Sequence, residues 1–362
     1  MFLHPETGEE YALARTERKT AAGYHGFSFN TSTDVSIEAD LKRRDLTINA
    51  MARDSDGALL DPHGGREDLE KRVLRHVSDA FAEDPVRVLR VAKFAARFYP
   101  LGFRIADETL ELMRSMVTAG EVDALVPDRV WKETEAALRG PSSRRFFEAL
   151  RDCGALARVY PEVDALFGIP QPEKWHPEID TGVHVMMVLD AAEKLTASGA
   201  VRFAALVHDL GKATTPVHRL PSHPGHEQRG RKLIEALAKR LPVPRAWREL
   251  AVLVALFHTH CHRAFELRPD TVLKVLERAD AFRRPERFDD FLTACEADAR
   301  GRLGLEERRY DQADYLRGAA ASARSVDAGA IAKDVGGKRV AEAIRRARID
   351  ALTTFKSAYE PR

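Results

Sequence analysis

Three short segments near the start of the chain carry strand-like punctuation in their apolar and polar positions: EEYALARTE (9–17), DVSIEADL (34–41), which alternates throughout, and LTINAMARD (46–54). Short runs of this kind between turn signals predict strands. Gly23-Tyr24-His25-Gly26 and Ser55-Asp56-Gly57 supply turn chemistry between them, so residues 9 to 60 read as a β-rich segment with little helix. From Asp68 the period changes to 3.6, and Phe81, Val88, Val91, Ala92, Ala95 and Phe98 form an apolar stripe whose like recurs to about Leu150. Breaks near Pro161 and across GIPQPEKWHP (168–177) mark a boundary. Beyond it the periodicity predicts helices near 182–196, 201–211, 226–240, 246–258, 270–278 and 285–299. A Gly/Ser/Ala-rich stretch from Gly318 to Gly329 precedes a last basic helix, Arg339 to Ile349. The fold class this predicts is α+β, mostly α. Two or three strands cannot cover both faces of a sheet alone, so the β-rich head reads as incomplete.

A chain of 362 residues exceeds one small core and favours two or three domains. The hydrophobic fraction of 44% and the charged fraction of 31% fit a globular protein. No apolar run approaches the roughly 20 residues that span a bilayer, which predicts no membrane partner. Cys153, Cys261 and Cys295 are odd in number and outside any C-x-x-C pattern, which argues against a disulfide framework and against a cysteine zinc site. The first residues lack the basic segment and apolar run of a secretory signal, so a reducing cytoplasm is expected. The net charge of +1 excludes a uniformly basic nucleic-acid coat but leaves room for local basic stripes.

Histidine is the first chemical signal. Nine of the thirteen lie between His176 and His262, where random scatter would put about three. His208-Asp209 sits in the apolar run VRFAALVHDLGK, a dipeptide expected about once by chance; its weight comes from company. His184 falls on the preceding predicted helix, His226 and His258 on later ones, and Asp298 in EADARGR. Imidazole and carboxylate suit Mg, Mn, Ni or Zn ions, and such ligands from separate helices can converge inside a bundle. The chemistry predicted is phosphoester hydrolysis, in which the ion lowers the pKa of water and neutralises phosphate charge. Lys212 could add a further positive charge. The alternative is a set of hydrogen-bonded or exposed histidines on ordinary helices. His176, His218, His223, His260 and His262 are expected to line the rim or face solvent. The pattern His184, His208-Asp209, Asp298 resembles the HD superfamily of metal-dependent phosphohydrolases, and His226 and His258 match its two-metal members. That resemblance makes His208 and Asp209 the catalytic pair.

A second chemistry lies upstream. LKRRDLTINA (41–50) places two arginines and an aspartate beside a strand pattern, and EDPVRVLRVAKFAARF (83–98) sets cations at 87, 90, 93 and 97. Spacings of three, three and four put those four on one helix face, with Val88, Val91, Ala92 and Ala95 on the other. An arginine fork can bond phosphate or a base edge, and Asp84 can accept from an exocyclic amine. A solvated basic surface is the bland alternative.

RRDLTINA, EDPVRVLR and PDRVWKE (127–133), in this order and at these separations, resemble the class II tRNA nucleotidyltransferases, and most closely the bacterial multifunctional CCA-adding enzymes, whose HD domain follows a head, neck and body. The likeness covers essentially the whole chain and includes WHPEIDTGVH (175–184), VHDLGK (207–212) and EADARGR (296–302). It implies a head at 1–67, a helical neck and body at 68–172 that recognises nucleotide and tRNA, an all-α HD domain at 173–302 and a helical tail at 303–362. It also implies that Arg44, Arg90 and Lys93 bind the phosphates and ribose of ATP or CTP, Lys93 standing where arginine is usual. Asp84 and Arg87 would be the protein template that selects C or A. Asp45 would brace the arginines. Arg345, Arg346 and Arg348 would run along the tRNA backbone or form a solvated face.

The family's Gly-Gly turn and the Asp-x-Asp pair that holds two magnesium ions would precede Phe2, and Asp40, Asp45 and Asp54 do not reproduce that pair. These 362 residues taken literally are therefore expected not to add CCA, the reason being a start assigned too far downstream or a truncated product. The function expected is tRNA 3′-terminal CCA addition and repair with CTP and ATP, coupled to an HD phosphatase or 2′,3′-cyclic phosphodiesterase using Ni²⁺, Mn²⁺ or Mg²⁺. A stand-alone HD phosphohydrolase and an inactive tRNA-binding module are the alternatives. The chain is expected to be a monomer or a homodimer.

Overall fold

Ser36 starts a helix where the alternating pattern predicts a strand. Its side chain accepts a hydrogen bond from Ala39 N (3.2 Å), and Glu38 and Asp40 place acidic groups in the first turn, so 34–41 yields the helix α1 (Ile37–Lys42). The cap and the favourable charge–dipole pairing outweigh a short alternation that both periods can read.

The computed structural model describes residues 2–19, 27–30, 32 and 34–360, and two compact units divide the chain, Met1–Asp164 and Ala165–Arg362. The Gly23-Tyr24-His25-Gly26 turn lies outside the described residues. In the first unit β1 (Phe2–Leu3) pairs antiparallel with β2 (Glu10–Tyr11), and β3 (Thr16–Lys19) with β4 (Phe27–Asn30) in the register Thr16↔Asn30. After α1, the segment 46–54 forms a 3₁₀ turn and β5 (Ala52–Arg53), which pairs with β6 (Leu59–Leu60). Next come α2 (Gly65–Lys71), β7 (Val73–Leu74), α3 (Val86–Phe98), β8 (Arg104–Ile105), parallel to β7, and α4 (Asp107–Thr118). The unit closes with α5 (Pro127–Arg139), α6 (Ser143–Asp152), α7 (Ala155–Val159) and α8 (Pro161–Asp164). Helix α3 packs on α5 and α6, and Val88, Leu89, Val91, Ala92, Phe146, Phe147 and Leu150 make the core there.

The second unit holds helices alone among its described residues: α9 (Thr181–Leu195), α10 (Gly199–Val207), α11 (His226–Arg240), α12 (Arg245–His262), α13 (Pro269–Arg278), α14 (Pro285–Arg300), α15 (Asp311–Arg324), α16 (Ala328–Val335) and α17 (Val340–Ala358). The predicted starts lie within two residues of these, but α10 stops at Val207, where 210–214 tighten into a 3₁₀ turn, while α12 runs four residues past the predicted end to His262 and α17 nine past it to Ala358. The Gly/Ser/Ala-rich stretch 318–329 is helical at both ends, 318–324 completing α15 and 328–329 opening α16. Alanine is the best helix former, and Gly318 brings α15 close to α17: a Cβ there would sit 2.7 Å from Phe355 Cζ. Small residues do the same for the bundle centre, where Val188, Ala192, Ala205 and Ala297 let α9, α10 and α14 approach. Helix α10 is buried on nearly every side, as its sequence, apolar but for Arg202, requires.

Cys153, Cys261 and Cys295 are all free and buried, and burial raises the Cys153 thiol to about 11. Native protein at about pH 8 should therefore take up little thiol reagent, whereas guanidinium should expose all three. A colorimetric thiol titration before and after denaturation reads the difference.

Candidate metal centre and nucleotide-reading helix

Buried α10 ends inside the protein, and the chain delivers His208 and Asp209 there as it leaves the helix. Gly211 lets α11 cross so close behind them that a Cβ at this position would lie 1.9 Å from His226 O. Asp180 caps α9, accepting from Val183 N at 2.9 Å, and the first turn then carries His184 inward. His226 opens α11, His258 comes from α12, and Asp298 from α14. All six predicted ligands are buried, and they come together.

The imidazoles share one orientation. His184 Nδ1 lies 3.0 Å from Gly301 O, His208 Nδ1 2.8 Å from Ala205 O, His226 Nδ1 2.8 Å from His223 O, and His258 Nδ1 3.0 Å from Val254 O. A ring nitrogen facing a carbonyl must donate, so each Nδ1 carries hydrogen and each Nε2 presents a lone pair. Those Nε2 atoms face two carboxylates. Asp298 Oδ1 is 3.2 Å from His184 Nε2, and its Oδ2 is 3.6 Å from His208 Nε2. Asp209 Oδ2 is 3.1 Å from His208 Nε2, and its Oδ1 is 3.5 and 3.6 Å from the Nε2 atoms of His226 and His258.

Acceptors facing acceptors need a cation between them. His208 Nε2 and Asp209 Oδ1 are buried without a hydrogen-bond partner, and His226 Nε2 stands 3.4 Å from His258 Nε2. Ligand atoms of His184, His208 and Asp298 lie within 4.8 Å of one another, as do those of His208, Asp209 and His258. The donor set fits a divalent ion of the Mg, Mn, Ni or Zn kind, and Asp209 could bridge two. Charge obeys the same logic. Burial opposes charge on His208, but Asp209 and Asp298 outweigh it and raise its pKa to about 9. Burial alone would raise both aspartates, yet His208 and Lys212 hold Asp209 well below the usual carboxylate range, and His262 and His208 do so for Asp298.

His262, expected on the rim or in solvent, lines the cavity over the cluster and also reaches into it: its Nε2 lies 2.6 Å from Asp298 Oδ2 and its Nδ1 2.9 Å from Tyr310 Oη. The spacing of four from His258 on one helix was the signal for it. His223 is buried between Thr215 Oγ1 and Pro170 O, while His218 is exposed. Lys212 donates to Asp209 Oδ2 and to Gln171 Oε1, both at 2.7 Å. A cavity of about 770 Å³ opens onto the cluster, with Lys212, Arg263, Arg302 and Arg308 in its lining.

In the first unit the expected basic face of α3 is a set of pairings. Arg87 is buried and points inward, donating at 2.7 Å to both Ala80 O and Arg43 O, so it does not share an open face with the other cations. Arg90 Nε donates to Asp45 Oδ2 (2.7 Å), and Asp45 Oδ1 accepts from Leu46 N and Asn49 Nδ2. Lys93 Nζ lies 2.5 Å from Glu133 Oε2. Asp84 is gripped by both Arg129 nitrogens, at 3.0 and 2.7 Å. Asp40, not Asp45, holds Arg43 and Arg44, each at 2.8 Å. Sequence reasoning missed Arg129 and Glu133 as partners, although PDRVWKE contains both. In the second unit Arg345 reaches Glu277 (3.4 Å), Arg348 lies over the Phe282 ring, and Arg346 is exposed.

The bundle presenting His, His-Asp and Asp has the ligand pattern of an HD domain, and domain matches join it to a nucleotidyltransferase-type head. The Poly A polymerase head domain matches residues 4–75, the "Probable RNA and SrmB- binding site of polymerase A" 102–167, and the HD domain 181–284. The chain belongs to the multifunctional CCA protein family. It is 62% identical to the multifunctional CCA protein of Thioalkalivibrio sulfidiphilus over 99% of this chain and 88% of that one. For Alkalilimnicola ehrlichii the figures are 59%, 99% and 87%. Among solved structures, a CCA-adding enzyme with CTP has a TM-score of 0.60 at 16% identity, over 87% of this chain and 68% of that one. The Thermotoga maritima CCA-adding enzyme complexed with tRNA has 0.58 at 14%, over 99% and 81%. These two show likeness of fold. No described helix is long and apolar enough to cross a membrane.

Burial would raise the Asp45 carboxyl, but Arg90 outweighs it and holds the pKa below the ordinary value. A depressed folded pKa adds stability above the unfolded pKa and loses it as pH falls. Asp45→Asn should therefore cost about 1.5–3 kcal/mol near neutrality. The gap from wild type should narrow below the ordinary aspartate pKa of about 3.9. Urea unfolding across pH measures both.

Proposed function

We propose that this chain serves the addition and repair of the terminal CCA of tRNA with CTP and ATP, its 362 residues supplying nucleotide and tRNA recognition but not the magnesium-holding Asp-x-Asp pair, and that its HD domain is a metal-dependent phosphohydrolase. What carries the first half is 62% identity across 99% of the chain to a multifunctional CCA protein. What carries the second is the convergence of the four Nε2 lone pairs on two buried carboxylates.

In this reading His184, His208, Asp209 and Asp298 would hold one divalent ion, and His226 and His258 with Asp209 would serve a second. Mg²⁺, Mn²⁺ and Ni²⁺ all suit these ligands. A bound ion supplies Lewis acidity, activating water and neutralising phosphate charge. The protein does the rest. The Nδ1 hydrogen bonds keep every imidazole in the binding tautomer, Lys212 offers an ammonium beside Asp209, and the arginines in the cavity lining attract a phosphomonoester or a 2′,3′-cyclic phosphate. In the first unit Arg44, Arg90 and Lys93 would hold the nucleotide phosphates and ribose, while Asp84 and Arg87 select the base. Arg129 sets the rotamer of Asp84, so one carboxylate serves both the pair and the exocyclic amine of an incoming base.

Altering the groups that hydrogen-bond metal-bound histidines typically costs about 10–100-fold, so loss of a ligand should exceed that range. His208→Ala and Asp209→Ala should each lower metal-dependent hydrolysis of 2′,3′-cyclic AMP by about 100-fold or more, with tRNA binding unchanged. Hydrolysis at the wild-type rate in either variant would overturn the metal assignment. Arg90→Ala should weaken CTP and ATP binding alike by about 10-fold, the worth of one charge-assisted contact, whereas Asp84→Ala should change their ratio. Competition with a fluorescent nucleotide distinguishes the two effects.

A further inference from the structure

Glu178 lies outside the six converging ligands, yet its side chain is only 2% exposed. Its Oε1 is 2.9 Å from His184 Nδ1 and 3.1 Å from His176 Nδ1. Gln171 Nε2 approaches at 3.4 Å, and Oε2 accepts from Leu303 N at 3.3 Å. Among the described residues no lysine or arginine forms an ion pair with it. A buried carboxylate with two imidazoles and amide donors as its company depends on those rings for charge compensation.

The backbone holds Glu178 there for a reason visible in the loop. Pro170 bridges to Asp180, and Gln171 N donates to Ile179 O at 2.9 Å, closing residues 170–180 beside the start of α9. Two routes run from that loop into the cluster. One is direct, Glu178 to His184 Nδ1 and through the ring to the Nε2 that faces Asp298. The other passes along Gln171, whose Oε1 accepts from Lys212, itself bonded to Asp209. His184 alone of the four rings has a second acceptor at Nδ1 within 3 Å besides its carbonyl, and that acceptor is charged.

We propose that Glu178 is a positioning residue of the HD metal centre: its carboxylate, 2.9 Å from the Nδ1 whose hydrogen goes to Gly301 O, makes the His184 ring a better ligand for a divalent cation. The inference rests on the metal reading above. A carboxylate behind a metal-bound imidazole fixes the tautomer and raises ligand basicity. It also adds a third negative charge to a site already holding Asp209 and Asp298. A carboxylate present for packing alone would leave ion affinity untouched when replaced by an amide of the same shape.

The test is calorimetric titration of nickel alone into the metal-free full chain, for wild type, Glu178→Gln, Glu178→Ala and His184→Ala, with guanidinium midpoints in parallel. Glu178→Gln should keep the wild-type midpoint and lose about 10–100-fold in nickel affinity. Glu178→Ala should lose at least as much. Wild-type affinity in a folded Glu178→Gln variant, with His184→Ala still weakened, would overturn the inference and leave the metal reading standing. Wild-type affinity in His184→Ala would overturn both. The isosteric Gln variant keeps the test valid should the Ala variant fail to fold.

Discussion

Nδ1-to-carbonyl hydrogen bonds are what the second unit's chemistry depends on. Three of the four acceptors, Ala205, His223 and Val254, lie three or four residues before the histidine they orient. That is the helical spacing, so each ring is aimed by the turn of backbone that carries it. The fourth, Gly301 O, belongs to the end of α14 and aims His184 across the bundle. A Cβ at Gly301 would stand 2.5 Å from Val188 Cα, so this bond needs the bare glycine that lets α14 meet α9. Packing of small residues and orientation of ligands are one event: the bundle that closes around Ala192, Ala205 and Ala297 is the bundle that points the lone pairs inward. An ion then meets a preorganised site and has little side-chain freedom left to remove.

The first unit solves a different electrostatic problem. Its buried or half-buried acids, Asp40, Asp45, Asp84 and Glu133, each face an arginine or lysine close by. Three of those pairs tie α3 to the segments around it, through Asp45 before it and through Arg129 and Glu133 on α5. Residues proposed to read a base are thereby held in fixed rotamers before any nucleotide arrives, which limits the entropy a selective contact must overcome. Arg87 goes further: with both terminal nitrogens on backbone carbonyls, it joins the segment before α3 to the end of α1.

How much of this was legible depends on the distance over which a signal acts. The helices of the second unit follow from periodicity because each is long enough for the 3.6 repeat to be unmistakable. The six ligands follow from residue type and the HD dipeptide, since few other arrangements use buried imidazole with carboxylate. The short segment 34–41 was not legible, because seven or eight residues fit either period and a serine cap decides between them. Composition did not assign 318–329, where alanine and close packing complete α15. The pairs Asp45 with Arg90 and Asp84 with Arg129 each span 45 residues, a separation no local pattern encodes. His262 and Glu178 were hidden for the opposite reason: abundant histidines and acids nearby made each look ordinary.

The contrast between the two units bears on which cluster is built for an ion. In the first, Asp40, Asp45, Asp84 and Glu133 each have a lysine or arginine side chain at 2.8 Å or closer. In the second, Asp209 has Lys212 on one oxygen while its other oxygen is orphaned, Asp298 has His262 at 2.6 Å but an arginine, Arg302, only at 3.5 Å, and Glu178 pairs with no lysine or arginine among the described residues. Burying uncompensated carboxylates costs several kcal/mol each, which a fold does not sustain without return. A second proton on His208, whose pKa Asp209 and Asp298 raise to about 9, would compensate part of that deficit. A proton on one nitrogen satisfies one pair, but it leaves Asp209 Oδ1 facing the lone pairs of His226 and His258. A divalent cation satisfies all of these groups at once. The surplus of acceptors therefore points to a metal by itself, independent of any family likeness.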